Sequence, residues 1–203
     1  MYKIIFMGGR GSMIPQPTSS QHHFVVDYRS KGFYRNVYDT VSDIYRRRRV
    51  TGRMQRLMHL IERVLFSGHS PVIIANGHGT VITANALRAL SLRNVPLDRV
   101  HVYALSPPRL VPQSTSRYHL AHAVNVIHAH DHLFKYIRRF RWWKPRMMFD
   151  RIDSFTIRDK SFNVLVTTRP VHCANVHLCL DLLRVVMYPD ILPAFERALA
   201  FLK

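Results

Sequence analysis

Between the apolar run Pro71-Val72-Ile73-Ile74-Ala75 and a helical pattern from Thr80 to Leu92 stands Asn76-Gly77-His78-Gly79. A tight glycine turn from strand to helix can lift one side chain above the end of a sheet. In a G-x-S-x-G turn that side chain is a nucleophilic hydroxyl, and the same strand-Gly-x-Gly-helix order also serves phosphate sites. Here Gly77 fills the first position of that turn, Gly79 stands where the nucleophile belongs, and Val81 replaces the closing glycine. Acyl transfer needs an activated hydroxyl or thiol beside a histidine, and Gly79 has neither. Neighbouring hydroxyls are poor substitutes. Ser70 precedes the strand and belongs to the opposite end of the sheet, and Thr80 is expected to cap the helix. Val81 and Ile82 refill the turn with ordinary core residues.

The elements that must position this turn alternate between two periods. Lys3 to Met7 reads as a short buried strand, followed by the glycine-rich Gly8-Gly9-Arg10-Gly11-Ser12. Met13 to Gly32 reads as a long loop holding a possible short strand at Phe24-Val25-Val26. From Tyr34 the spacing is helical, with Val37, Val41, Ile44 and Tyr45 on one face and Asp39 and Asp43 away from it. A second helix runs through Met54, Leu57, Met58, Ile61, Val64 and Leu65. Further strands are expected at Val100 to Ala104, Ala123 to Ile127 and Asn163 to Thr167, with closing helices near Asn175 to Met187 and Asp190 to Leu202. Strands alternating with helices imply a mostly parallel sheet covered on both faces. At 203 residues, with no repeat or linker, the chain is expected to form one α/β domain over residues 1–203.

Charge narrows the partners. Lys plus Arg number 30 and Asp plus Glu 12, a net charge of +18, far above the modest charge that solubility asks of a small domain. An anionic lipid surface or nucleic acid is the expected partner. Two tracts are the candidate contacts: Arg46, Arg47, Arg48 and Arg49, and then Arg138, Arg139 and Arg141 with Trp142 and Trp143. Guanidinium groups suit phosphates, and the aromatics can stack on bases, lie at a lipid headgroup level or pack on the core. Part of the first tract also has a structural reading, because cations complement a helix C-terminus. The two cysteines, Cys173 and Cys179, read as buried thiols. His128, His130 and His132 share one face only if the strand runs on through Asp131, so neither a metal nor another cofactor is expected. No apolar run is long enough to span a bilayer and the N-terminus lacks a signal-peptide core, which points to a cytoplasmic, soluble protein.

Order and spacing from about residue 3 to 134 resemble the class 3 (fungal-type) lipases. That family typically reads strand, R-G-[ST], H-x-G-F, two helices, strand, G-H-S-L-G-G, strand, G-x-P-R and a strand leading to D-x-V-P. This chain shows Arg10-Gly11-Ser12, Lys31-Gly32-Phe33, Gly77-His78-Gly79, Ser106-Pro107-Pro108-Arg109 and a strand leading to His130-Asp131-His132. The resemblance implies an α/β-hydrolase-like fold in which Asp131 stands at the triad aspartate, His172 at the triad histidine and Ser12 at the oxyanion position. Asp131 also reads as a carboxylate pairing with its flanking histidines, and His172 as a structural histidine. Relative to the family the chain is N-terminally truncated, which predicts an exposed sheet edge suited to a homo-oligomer. Two functions remain: a pseudoenzyme that has lost serine-esterase activity and binds an anionic partner, or an active lipid or ester hydrolase with an unorthodox nucleophile.

Overall fold

The computed structural model describes residues 1–8, 23–26, 33–45, 50–128, 163–167 and 183–200. Strands β1 (Tyr2–Met7), β2 (His23–Val26), β3 (Ser70–Asn76), β4 (His101–Leu105), β5 (His122–His128) and β6 (Asn163–Thr167) form one six-stranded sheet in the order β2-β1-β3-β4-β5-β6. Every pairing is parallel. Helices α1 (Phe33–Tyr45) and α2 (Gly52–Phe66) link β2 to β3, α3 (His78–Leu92) links β3 to β4, and α4 (Leu192–Ala200) closes the described chain.

Strands buried on both faces read as continuous apolar runs, because alternate residues feed two separate cores. Ile5, Met7, Ile73, Ala75, Val102 and Ala104 pack under α2 and α3. Ile4, Phe6, Val72, Ile74, Tyr103 and Leu105 pack under Leu183, Met187, Ile191 and the Ala194, Phe195, Ala198 and Leu199 face of α4. The expected α/β sheet covered on both faces is thus present.

Local chemistry sets the element ends. Thr51 starts α2, its hydroxyl accepting from the Met54 N–H (3.3 Å). Asn94, at φ 59°, ends α3 with the Val95 N–H returned to the Leu90 carbonyl (3.1 Å). The long connection from β4 to β5 is pinned by Asn125, which is fully buried. Its Oδ1 accepts from the Val111 N–H (2.8 Å) and its Nδ2 donates to the Val111 carbonyl (2.9 Å).

The short strand expected at Phe24-Val25-Val26 is present as β2, paired along β1 at the edge of the described sheet. Two expectations are corrected. α3 begins at His78, not Thr80, which shortens the turn before it. Among the described side chains of α1, Thr40 and Ile44 are buried while Val41 is 37% exposed, and Asp43, expected away from the packed face, turns toward α3.

The opposite, N-terminal ends of the strands gather a second polar group. His101 and His122 are register partners on β4 and β5. Tyr2 meets the His101 ring edge-on at 5.4 Å and hydrogen-bonds Asp190, and Tyr188 lies 4.3 Å from the His122 ring. Burial holds both imidazoles below their ordinary range; for His101 the neighbouring His122 adds to this and Asp190 opposes it. A histidine held low in the folded state binds its proton more readily when unfolded. Its contribution to stability is therefore present above the ordinary value of about 6.5 and lost as pH falls below it. The urea midpoint should drop as pH is lowered from about 7 to about 5, and His101→Gln with His122→Gln should flatten that slope. An unaltered slope in the double variant contradicts the assignment.

Candidate functional site

Connections leave β1 and β3 in opposite directions. From β1 the chain goes to β2; from β3 it goes through α3 to β4, on the far side of the sheet. In open parallel sheets, ligands bind beyond the carboxyl ends of the strands at such a reversal. Here that point is bounded by the end of β1 at Met7 and Gly8 and by Gly77-His78-Gly79 after β3.

Gly77 makes the turn. Its φ of 50° and ψ of −121° lie where side-chain-bearing residues are strained, and its N–H donates to the Leu105 carbonyl of β4 (2.9 Å). The positive-φ residue of the elbow is therefore Gly77, two positions before the one the motif alignment singles out. Gly79 lies inside the first turn of α3, and a Cβ built on it would stand 2.6 Å from the Met7 carbonyl oxygen and 3.2 Å from that of Gly8. Gly79 thus sits where α3 lies close against the end of β1. Val81 and Ile82 are buried, as core residues should be. Thr80 is fully buried, and its hydroxyl donates back to the Gly77 carbonyl (2.7 Å) instead of accepting from the helix amides as an N-cap does.

A polar network ties α1 to this turn. His78 is buried with Nε2 2.9 Å from Asp43 Oδ2. Asn85 Nδ2 donates to the Asp43 carbonyl (3.0 Å), and Arg109 Nη1 lies 3.5 Å from Asn85 Oδ1. Sequence reading missed Asp43, because helical periodicity places it, like Asp39, off the apolar stripe. It also missed Ser106. This residue follows β4 directly, holds φ 42°, is 7% exposed and donates its N–H to the Val126 carbonyl (2.8 Å). Asn76 and Leu105 are register partners, so Ser106 stands across the sheet from Gly77.

Of the residues singled out from sequence, Gly79 lies at the reversal point and Ser70 opens β3 at the opposite end, as expected. Ser12, Asp131, His172, Arg46, Arg47, Arg48, Arg49, Arg138, Arg139, Arg141, Trp142 and Trp143 lie outside the described residues. Among the described residues no three His, Cys, Asp or Glu side chains are grouped to hold a metal ion. Nor is any helix among them long and apolar enough to cross a membrane.

Fold and site together define an α/β protein with an all-parallel described sheet and a glycine strand-to-helix turn at its reversal point. Compared with known proteins, the chain matches no protein-family model, no curated protein and no solved structure.

The fit of Gly79 against β1 is directly testable. A backbone carbonyl in an interior strand has little room to give, so Gly79→Ala should lower unfolding free energy by about 3 kcal/mol. Gly52→Ala, whose methyl meets nothing within 4 Å, should lose none. Equal urea midpoints for the two variants would remove the contact as a determinant of the fold.

Proposed function

We propose that this chain is an α/β-hydrolase-like protein, resembling the class 3 lipases, that forms no acyl-enzyme and works by binding an anionic lipid surface or nucleic acid. One observation carries the reading. Both positions that a strand-to-helix nucleophile turn offers, Gly77 at the strained point and Gly79 in the first helical turn, lack a side chain. Gly79 cannot regain one without displacing the Met7 carbonyl. The net charge of +18 supplies the attraction for a polyanion.

A second reading, a hydrolase with a displaced nucleophile, is favoured by Ser106. A non-glycine residue at positive φ costs about 1–3 kcal/mol, and such strain concentrates at functional sites. Ser106 holds it beside a turn whose two glycines carry no hydroxyl.

A fluorophosphonate probe separates the two. The binding reading predicts no labelled serine by mass spectrometry and no short-chain esterase activity. It also predicts polyanion binding that weakens steeply with added salt, as counterion release requires. Stoichiometric labelling at Ser106, abolished by Ser106→Ala, would replace the first reading with the second.

A further inference from the structure

The outward face of α2 carries Arg56, His59, Arg63 and Phe66 at helical spacing, all exposed. Phe66, in the last turn, is 87% exposed. α2 enters β3 and α3 leaves it, so both helices run opposite to that strand and end near the N-terminal edge of the sheet. There Leu92, the last residue of α3, is 59% exposed. The two ends are adjacent: Arg93 Nη1 lies 3.7 Å from Glu62 Oε1, one helical turn before Phe66. Arg99 donates to the Gly68 carbonyl, which places it on the same rim. Among the described residues, Glu62, paired with His59 and Arg93, and Asp98 are the carboxylates on these segments.

We propose that this rim docks on an anionic bilayer, with Phe66 and Leu92 entering the acyl boundary and Arg63, Arg93 and Arg99 contacting headgroup phosphates. The proposal rests on the anionic-partner reading and names its partner as lipid. Two side-chain types make the choice. A nucleic acid offers a stacking partner for Phe66 but none for the aliphatic Leu92, whereas a bilayer interface takes both beneath a ring of cations. This rim is at the sheet end away from Gly77, so docking leaves the glycine turn and its network open to solution.

The test is co-sedimentation of the full chain with phosphatidylcholine vesicles, with and without phosphatidylserine, and binding to a single-stranded oligonucleotide. Variants are Arg63→Gln with Arg99→Gln, and Phe66→Ser with Leu92→Ser; all four residues are exposed, and thermal melting verifies folding. Binding only to phosphatidylserine vesicles is expected. Each arginine near an anionic surface is worth about a factor of five, so the arginine pair should weaken binding about twenty-five-fold at low salt. The serine pair should weaken vesicle binding and leave any oligonucleotide binding unchanged. Vesicle binding unaffected by either pair would overturn this rim and leave the anionic-partner reading standing. Binding to the oligonucleotide alone would overturn the lipid assignment, and binding to neither would overturn both.

Discussion

The absence of a Cβ on Gly79 lets the first turn of α3 lie against the carbonyl oxygens of Met7 and Gly8. Much else at this end of the sheet depends on that approach. With α3 held down on β1, the chain leaving β3 must turn within Asn76 and Gly77, and Gly77 takes the positive φ that so abrupt a change requires. The same approach brings His78 within reach of Asp43, and so anchors α1 to α3. One missing methyl group thus fixes a helix, a turn and the docking of a second helix.

The two ends of the sheet then differ in character. At the carboxyl end a hydrogen-bonded chain runs from His78 through Asp43 and Asn85 to Arg109, beside a turn whose two glycines bear no side chain. At the amino end, apolar and cationic side chains face solvent together on α2 and α3. Between them, the two faces of the sheet carry separate apolar cores, each covered by helical segments. A scaffold built this way holds its shape through the sheet and leaves its surface chemistry free to define its partners.

Much of this was legible from residue pattern alone. The doubly buried runs around Ile73 and Val102 announce parallel strands, and the spacing of Met54, Leu57, Met58 and Ile61 announces α2. Motif letters did not set the register of the glycine turn. Gly77-His78-Gly79 fits a nucleophile turn in two ways, and only the helix start at His78 shows which glycine takes the positive φ and which is a contact. Asp43 was illegible for a related reason: its partner His78 is 35 residues away, and periodicity within one helix cannot report a contact between two. Ser106 was hidden because a positive φ leaves no mark on a serine in Ser106-Pro107-Pro108-Arg109.

The central claim is that Gly77 is the positive-φ elbow residue and Gly79 a packing contact. A crystal structure at a resolution that fixes peptide planes measures this directly. The account predicts positive φ at Gly77, helical backbone from His78 onward, and the Met7 carbonyl oxygen in van der Waals contact with Gly79 Cα. A helix beginning at Thr80, with the positive φ on Gly79 and open space beside its Cα, would contradict it.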